Sequence, residues 1–468
     1  MPETLMISVS GVRGIVGTDL TPEMMARWAA AFGVWAKTGN GDGGRGKRTT
    51  IVLGRDARTS GPMFVQAAEA GLASTGCDVI SLGLTTTPTA QLAVMHHRAA
   101  GGLMFTASHN PIEWNGLKFI GPDGIFLDGA AGTRVRDLAE GATLHRAGYD
   151  ALGGVGADAA AIARHIGAVL RLPGLGLPGI RRRRFRVALD TVRGSGGAIM
   201  PLLLERLGAK VSGVNLATDG RFPRPPEPLP ENLGELGRLV RRAKAHVGLA
   251  VDPDVDRMAL VDETGAPIGE DYTLAFAVRA VLGGKTGKRE AGRGNRVVVC
   301  NLSTSLVVDD AARDCGAEVV RTPVGEVHVA RRLLELKGPI GGEGNGGVMH
   351  PALHAGRDAP VAAALVLALL ARTGNTVSEL VAAAPRYAIV KTKIPRGVAL
   401  DDAYAQLRRR FPDAAVDVQD GLRLGWPDRW LHVRPSNTEP IVRLIAEAPT
   451  SAQAERLIQE GRSVCAAS

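Results

Sequence analysis

The sequence is poor in aromatic residues and in cysteine, and it has no apolar run long enough to cross a membrane. Aromatic residues make up 4% of the 468 residues, and the four cysteines are far apart and form no Cys-x-x-Cys pair. The longest purely apolar run, Val361–Ala371, has about half of the ~20 residues that a membrane-spanning helix needs. These absences exclude a disulfide framework, a Cys/His zinc site of the usual spacing and a membrane-spanning protein.

Signals for secretion are also missing. The segment Met1–Thr4 has neither the basic region nor the apolar region of a secretory signal peptide. The dispersed cysteines agree with a cytosolic protein, because thiols stay reduced in that compartment. We therefore expect a cytoplasmic chain, a monomer or a homodimer, that has no membrane partner.

Positive charge and glycine are present in excess. The 56 Lys and Arg residues against 47 Asp and Glu residues give a net charge of +9, which suits anionic partners, and the 60 glycines indicate many tight turns. The densest basic run, Arg181–Arg184, lies before an apolar segment and has no aromatic residues nearby on which bases could stack. We interpret this run as a solvated loop and expect no nucleic-acid partner.

Three stretches of the chain follow one plan. Each begins with a short apolar strand, continues through a helix of crossover length, and enters a second strand after a Gly-x-x-Val step. Strand–helix–strand units of this length predict parallel pairing within an α/β domain. The three copies start at Ile51, Val187 and Val297 and predict three related α/β domains.

The last hundred residues follow a different plan. Ala388–Ile394 alternates like a strand with one solvated face, Leu400–Arg410 has helical spacing, and short strands around 421–424 and 430–433 precede a closing helix over 452–464. This mixture predicts a small α+β domain. Linkers are expected near 152–157 and 372–376, and we place the domains at 1–153, 154–262, 263–373 and 374–468.

The first candidate site is Thr106–Pro111, which follows the apolar residues Leu103–Phe105. Loops at the carboxyl ends of strands are where α/β proteins place reactive groups, so Ser108 could be an exposed nucleophile. Lys118 follows closely and could supply charge or a proton. An ordinary Asn-Pro turn remains the alternative for this loop.

The second candidate site is Asp252-Pro253-Asp254-Val255-Asp256-Arg257. Carboxylates at every second position cannot share a helical face, but on a looped backbone they converge into three oxygen ligands for one divalent cation. Three protein ligands leave room for water or a phosphate oxygen, which suits Mg²⁺. A solvated acidic turn is the alternative, although 248–251 reads as a buried strand that leads into the cluster.

Two further loops could hold a ligand. In 341–347, five glycines surround Glu343 and Asn345, so the backbone can approach a ligand while two polar side chains meet sugar hydroxyls. In 434–440, Arg434 is followed by hydroxyl and amide side chains that could grip a phosphate. A plain hairpin and a turn between two strands are the respective alternatives.

These four segments in this order, together with Ser10–Gly14, resemble the α-D-phosphohexomutase superfamily, which comprises phosphoglucomutases, phosphomannomutases and phosphoglucosamine mutases. The resemblance covers essentially the whole chain. It implies an α/β fold with three related α/β domains that contain mixed sheets, and a smaller C-terminal α+β domain, around one central cleft. It also implies an enzyme that is an intramolecular phosphotransferase acting on a small phosphosugar.

The resemblance assigns a role to each motif. Ser108 matches the serine that carries the phosphoryl group, and its phosphate oxygen would complete a Mg²⁺ site with the three aspartates. Glu343, with Asn345 in the same loop, matches the part of the family site that holds sugar hydroxyls. The remaining matches surround the transferring phosphate (Arg13, His109, Lys118 and Arg257) or grip the non-reacting one (Arg434, Ser436, Asn437 and Thr438).

One position departs from the common pattern of the family. Two residues after the sugar-loop Glu the family often has Ser, whereas this chain has Asn345. This variant is similar to the branch often assigned to phosphoglucosamine mutase. We therefore expect conversion of glucosamine 6-phosphate to glucosamine 1-phosphate, with phosphomannomutase/phosphoglucomutase activity as the alternative.

The family chemistry requires phosphoserine at residue 108, Mg²⁺ and a hexose 1,6-bisphosphate that serves as intermediate and activator. A metal-dependent sugar phosphatase with a serine nucleophile would use the same serine and aspartates, but it would not need the distal phosphate grip. A sugar-phosphate sensor without activity would keep the grip but would not need the nucleophile and the metal ligands. Both residue sets are present, which favours a mutase.

Overall fold

The computed structural model describes residues 5–8, 11–39, 48–283, 296–395, 399–435 and 441–465. Within them, four sheets follow one another along the chain, and helices cover the first three on both faces. Sheets one to three are mixed, and the fourth is antiparallel. The expected fold class of three α/β domains followed by an α+β domain is confirmed.

The first sheet has seven strands in the order β1-β2-β6-β5-β3-β4-β7. Its strands are β1 (Met6–Ser8), β2 (Gly11–Ile15), β3 (Thr50–Arg55), β4 (Asp78–Leu84), β5 (Gly101–Phe105), β6 (Trp114–Ile120) and β7 (Val155–Ala157). Its helices are α1 (Pro22–Gly39), α2 (Gly61–Ala73), α3 (Thr87–His97) and α4 (Gly129–Glu140).

The second sheet has four strands in the order β11-β10-β8-β9. Its strands are β8 (Arg186–Asp190), β9 (Lys210–Val214), β10 (Val247–Val251) and β11 (Met258–Val261). The helices of this part are α5 (Ala161–Leu170), α6 (Leu177–Arg183), α7 (Gly196–Arg206) and α8 (Gly234–Ala243).

The third sheet has five strands in the order β13-β12-β14-β15-β16. Its strands are β12 (Val297–Asn301), β13 (Glu318–Thr322), β14 (Ile340–Glu343), β15 (Gly347–His350) and β16 (His354–Arg357). The helices of this part are α9 (Asp271–Leu282), α10 (Leu306–Asp314), α11 (Glu326–Glu335), α12 (Ala359–Thr373) and α13 (Val377–Ala382).

The fourth sheet has five strands in the order β17-β21-β20-β19-β18. Its strands are β17 (Ala388–Pro395), β18 (Ala415–Asp417), β19 (Leu422–Gly425), β20 (Trp430–Pro435) and β21 (Ile441–Ala448), and its helices are α14 (Leu400–Arg410) and α15 (Ser451–Cys465). The predicted strand, helix and closing helix of this region are confirmed.

The predicted repeat is confirmed in all three α/β sheets. The strand pairs β3–β4, β8–β9 and β12–β13 are parallel, and one helix crosses over between the two strands of each pair. Parallel strands need a crossover of this length, and their buried faces favour the Val, Ile and Leu runs seen in the sequence. The repeat therefore reflects one packing solution used three times.

The prediction of a linker at 152–157 is wrong. Residues 155–157 form β7, which pairs in parallel with β4 at the edge of the first sheet. Its three residues are exposed and carry little apolar area, so the hydrophobic pattern gave no sign of a strand there. The first sheet thus extends beyond residue 153, and the four domain boundaries remain a proposal.

The apolar helix α12 is enclosed by protein. The side chains from Ala359 to Leu370 are all buried, in a core that also includes residues of the second and third sheets. A helix that is apolar on every side fits the centre of a large protein. Among the described helices, none is both long enough and apolar enough to span a bilayer.

The fourth domain docks on the loop that follows β12. The buried carboxylate of Glu447 accepts hydrogen bonds from the Leu306 amide (2.8 Å), the Trp430 indole (2.6 Å) and the Ser305 hydroxyl. His432 Nδ1 lies 2.9 Å from the Ser303 hydroxyl. Because β20 carries His432 and Trp430, this docking also sets the position of Arg434 on the same strand.

Candidate active site

Loops from the first three sheets meet at one place. Ser108 follows β5, the three aspartates lie in the turn between β10 and β11, and Glu343 is the last residue of β14. The hydroxyl of Ser108 lies 3.2 Å from Asp252 Oδ2. All three positions are at carboxyl ends of strands, where open α/β sheets place their ligands.

The backbone of Ser108 adopts a left-handed conformation, with φ of 51°. Such a conformation is uncommon for a residue with a side chain and has to be held by its surroundings. The Ser108 amide donates to the Thr106 hydroxyl at 2.8 Å, and that hydroxyl in turn donates to Asp56 at 2.7 Å. The geometry places the serine hydroxyl against the aspartates.

A residue that sequence reasoning missed, Arg58, holds this loop. Its side chain is fully buried and pairs with Asp56. It also donates to four main-chain carbonyls of the serine loop and the segment after it, those of Ser108, Asn110, Pro111 and Trp114, at 2.6–2.8 Å. The signal available in the sequence was an Asp-x-Arg step directly after the buried strand β3.

The three aspartates are fully buried. Asp252, Asp254 and Asp256 each offer one carboxylate oxygen, and these oxygens lie within 4.8 Å of one another. The residue between the last two, Val255, has a φ of 64°, so the chain turns sharply enough for alternate side chains to face inward. The solvated acidic turn considered above does not describe this burial.

Cations from two other domains offset this negative charge. Lys118 Nζ lies 2.7 Å from Asp254 Oδ2 and 3.7 Å from Asp256 Oδ2. The Thr87 hydroxyl donates to Asp254 at 2.6 Å, and Arg357 pairs with Asp256. Burial opposes ionisation, but Lys118 and Thr87 lower the pKa of Asp254, and Arg357 lowers the pKa of Asp256.

Asp252 behaves differently from its two neighbours. Burial, followed by the charges of Asp256 and Asp254, raises the pKa of Asp252 well above its usual range. Among the described residues, its carboxylate accepts hydrogen bonds from the Ser108 hydroxyl and from the Arg257 amide, each at 3.2 Å. A divalent cation bound here would offset the repulsion among the three carboxylates, which adds to the effect of burial on this pKa.

The donor set fits a divalent cation. Asp254 Oδ1 and Asp256 Oδ1 are buried and have no hydrogen-bond partner among the described residues. Buried carboxylate oxygens without partners are costly, and hard oxygen ligands are those that Mg²⁺ prefers. The trio, with the nearby Ser108 hydroxyl, is therefore a candidate metal centre.

The other residues expected around the phosphate lie close by. Arg257 follows the trio and pairs with Glu227 at 3.1 Å, while Arg13 donates to Asn110 of the serine loop at 3.4 Å. His109 Nδ1 lies 3.4 Å from the Ser108 hydroxyl. Burial, then the charges of Arg257 and Arg13, lower the pKa of His109 well below its ordinary value.

The proline-rich residues 222–229 form a loop that also reaches the first domain. Glu227 lies 3.9 Å from His109 Nε2 in addition to its contact with Arg257. The Arg58 guanidinium lies over the Phe222 ring, with its Cζ 5.0 Å from the ring centroid. The loop therefore covers the serine loop from the side of the second domain.

Glu343 is buried and surrounded by donors. Its Oε1 accepts from Asn301 Nδ2 at 2.8 Å and from the Gly325 amide at 3.2 Å. Its Oε2 accepts from Arg357 and, at 3.4 Å, from Asn345 Nδ2. The hydrogen bond from Asn345 is the longest of the four, so its replacement by a ligand hydroxyl would lose the least hydrogen-bond energy.

Arg357 connects the aspartate turn between β10 and β11 to the glycine loop that carries Glu343. Sequence reasoning missed this residue. It forms ion pairs with Asp256 of the trio, Glu343 of the glycine loop and Glu326 at the start of α11. Burial lowers the pKa of this guanidinium, but the three carboxylates together raise it well above its ordinary value. Its neighbours in sequence, Gly356 and Asp358, carry no motif that marks it.

The phosphate-grip candidates are placed only in part. Arg434 is buried on β20, with its Nε 2.9 Å from Asp420 Oδ2. Ser436, Asn437 and Thr438 lie outside the described residues, as does Ser10 of the first motif. The predicted roles of these residues stay predictions.

Comparison with known proteins agrees with this arrangement. Family models of phosphoglucomutase/phosphomannomutase match the chain in order: alpha/beta/alpha domain I over 5–145, domain II over 163–265, domain III over 270–387 and the C-terminal domain over 389–463. A Thermococcus kodakarensis protein described as phosphoglucomutase/phosphomannomutase is 39% identical over 457 residues, which is 96% of either chain.

Two further relatives are similar over nearly their whole length. A Methanopyrus kandleri protein described as a probable phosphoglucosamine mutase is 36% identical over 459 residues, covering 96% of this chain and 95% of the relative. The crystal structure of a phosphoglucomutase/phosphomannomutase family protein from Burkholderia thailandensis superimposes with a TM-score of 0.83 at 25% identity, over 98% of this chain and 96% of that one.

Replacement of Arg357 tests whether it holds the buried carboxylates together. We expect Arg357→Ala to lower the Tm strongly, because removal of one partner from a buried ion pair costs about 3–5 kcal/mol. Arg331→Ala is the control, since its pair with Asp123 is exposed and such pairs contribute about 0–1 kcal/mol. Calorimetry of both variants measures the difference, and equal shifts would contradict the role given to Arg357.

Proposed function

The chain belongs to the phosphoglucomutase/phosphomannomutase family, and we propose that it moves a phosphoryl group between C6 and C1 of a hexose phosphate through a phosphoserine enzyme. Members of this family are mutases, which are isomerases. The observation that carries the proposal is the approach of the Ser108 hydroxyl to a buried aspartate trio, 3.2 Å from Asp252.

Ser108 carries the phosphoryl group in the resting enzyme. In the first step a hydroxyl oxygen of the bound monophosphate attacks the phosphorus, the bond from phosphorus to Ser108 Oγ breaks, and a proton passes from the sugar hydroxyl to Oγ. The product is a 1,6-bisphosphate. After this intermediate turns end over end, its other phosphate returns to Ser108 and leaves the isomeric monophosphate.

Asp252, Asp254 and Asp256 would hold Mg²⁺ together with an oxygen of the phosphoserine. When bound, the ion supplies a Lewis acid that offsets charge on the transferring group. Phosphoserine carries nearly two negative charges at neutral pH, and the chain itself supplies further positive charge to offset them. Lys118, Arg257 and Arg13 surround the serine loop and would orient this group, with His109 beside the Ser108 hydroxyl.

The substrate would be held at two further points. Glu343 would accept sugar hydroxyls at the position now taken by Asn345, whose 3.4 Å contact is the weakest of its four. Arg434 would hold the non-reacting phosphate together with Ser436, Asn437 and Thr438. A grip on either phosphate of the bisphosphate is what allows the intermediate to reorient without escaping.

Among hexoses, glucosamine 6-phosphate is the proposed substrate. The Asn345 variant of the sugar loop supports this choice, as do relatives described as probable phosphoglucosamine mutases. The 39% identical relative described as phosphoglucomutase/phosphomannomutase favours the alternative of glucose or mannose phosphates.

Phosphorylation of Ser108 tests the reaction class. We expect the active protein to carry one added phosphate at this residue, on the order of 80 Da by intact mass and peptide mapping. Ser108→Ala should lack it and should not turn over, whereas Ser463→Ala on the exposed face of α15 should behave like the parent. Mutase turnover by Ser108→Ala, or by parent protein whose Ser108 stays unphosphorylated throughout turnover with bisphosphate, would contradict the proposal.

Replacement of Asp254 tests the metal centre. We expect Asp254→Asn to weaken Mg²⁺ binding in calorimetric titration and to lower kcat about a hundredfold or more, because a catalytic metal contributes several kcal/mol of transition-state stabilisation. Chelation of the parent should have the same effect. Asp262→Asn is the control, since the Asp262 carboxylate accepts hydrogen bonds from the Thr264 and Ala266 amides of its own turn. Equal metal affinity in both variants would contradict the metal centre proposed here.

The choice of sugar is measured by kcat/KM for glucosamine 6-, glucose 6- and mannose 6-phosphate. We expect the highest value for glucosamine 6-phosphate. Asn345→Ser should shift the ratio towards the neutral hexoses, because it installs the residue that the family often has there and removes a donor from Glu343. A higher kcat/KM for glucose or mannose 6-phosphate in the parent would decide for the alternative.

A further inference from the structure

Three connections meet at one edge of the second sheet. The helices α6, α7 and α8 end just before β8, β9 and β10, and β8 is parallel to both of its neighbours. The residues Arg186 and Lys210 are register partners, and so are Val187 and Val247. The three helix ends and the three strand starts therefore lie side by side.

This edge, which we call the basic edge, comprises residues 181–186, 205–210 and 241–246. It carries ten of the 56 basic residues of the chain and one of the 47 acidic residues, so the rest of the chain has 46 of each and no net charge. The ten cations are Arg181, Arg182, Arg183, Arg184, Arg186, Arg206, Lys210, Arg241, Arg242 and Lys244.

Internal hydrogen bonds account for only three of these cations, and Arg183 has a cation–π contact, 5.8 Å from the centroid of the Phe185 ring. Arg181, Arg186 and Arg241 donate to the main-chain carbonyls of Arg206, Lys244 and Thr264, respectively. The other seven are exposed, and no hydrogen bond or ion pair of their side chains is recorded in the described part of the chain. Cations do favour helix C-termini, but this preference does not require seven unpaired charges at one edge.

No ion pair joins the ten cations to an acidic residue in the described part of the chain. Asp262 and Glu263 follow β11 at the far side of this edge, and their carboxylates accept hydrogen bonds from other groups: Asp262 from the amides of Thr264 and Ala266, and Glu263 from the Ser378 hydroxyl. Glu205 is the single acid inside the basic edge. The charge is therefore available to a partner.

The substrate phosphate is not that partner. The aspartate trio follows β10 at its carboxyl end, whereas the basic edge lies at the amino end of the same strand. Five residues of strand at about 3.3 Å each separate the two ends. A ligand on the basic edge would be bound away from the reaction.

The residue types on the basic edge indicate which kind of polyanion it would bind. Eight of the ten cations are arginines, whose forked guanidinium matches phosphate oxygens. The large apolar side chains within the edge, Phe185 and Leu207, are buried, so neither is available to stack on bases or to enter a lipid layer. A phosphate backbone contacted without base stacking is what a nucleic-acid duplex presents.

We propose that the basic edge docks the phosphate backbone of a double-stranded nucleic acid without reading its base sequence. The expectation of no nucleic-acid partner was based on one run, Arg181–Arg184, and on the lack of aromatic residues beside it. The fold adds six cations from β8, α7, β9, α8 and the residue after α8, and a duplex needs no stacking platform.

Counterion release makes the binding testable through salt. Non-specific binding of this kind has a Kd of about 10⁻⁴–10⁻⁶ M, and log K falls by about 0.9 per phosphate contacted for each decade of salt. With four or five of the seven unpaired cations in contact, we expect a slope of about −4. Fluorescence anisotropy with a labelled duplex of about 24 base pairs between about 50 and 200 mM salt measures it.

Two matched variants separate the basic edge from overall charge. Arg182→Glu with Arg184→Glu and Arg242→Glu should weaken duplex binding at least about tenfold and make the slope shallower by about three. The control is Arg408→Glu with Arg409→Glu and Arg462→Glu, three exposed arginines on α14 and α15 that carry the same charge, and it should bind like the parent. Mutase activity should be unchanged in the first variant, since its substitutions lie at the other end of the sheet.

Three outcomes would overturn the proposal. One is the absence of duplex binding by the parent at about 50 mM salt. Another is an equal loss of binding in both variants, which would assign it to net charge. A third is tighter binding to phosphatidylserine vesicles than to the duplex at the same salt, which would make the edge a membrane surface.

Discussion

The burial of negative charge governs this structure. Three aspartates of the second domain are fully removed from solvent, and three adjacent carboxylates in such a setting are tolerated only if cations lie beside them. Lys118 comes from the first domain and Arg357 from the third, and each is within ion-pair distance of the trio. The ion pairs that balance the charge of the site therefore also join three domains to one another.

Two other buried charged side chains, Arg58 and Glu447, hold the parts around the site mainly through neutral hydrogen-bond partners. Arg58 holds the serine loop, in which Ser108 is left-handed, by donating hydrogen bonds to main-chain carbonyls and pairing with Asp56. The fourth domain is docked through Glu447, whose partners are an amide, an indole and a hydroxyl.

The two ends of the second sheet divide the charge of the protein between them. The carboxyl ends of its strands carry the buried acids of the reaction site, while the amino ends collect ten cations from three separate connections. Parallel pairing of β8 with both neighbours produces this division, because it brings every helix end of this sheet to the same side. Sequence order conceals it, since the three connections are many residues apart.

The amino-acid sequence by itself determined the repeated strand–helix–strand units, the small α+β fourth domain and the motifs around Ser108, Asp252–Asp256 and Glu343, because local periodicity and residue type carry those features. It did not reveal β7, whose exposed residues have no apolar pattern, nor Arg58, Arg357 and Asn301, which act through partners distant in the chain. Tertiary structure alone decided which charges neutralise one another and which remain exposed. The physical reason is that electrostatic pairing depends on distance in space, and only the packing of the domains sets that distance.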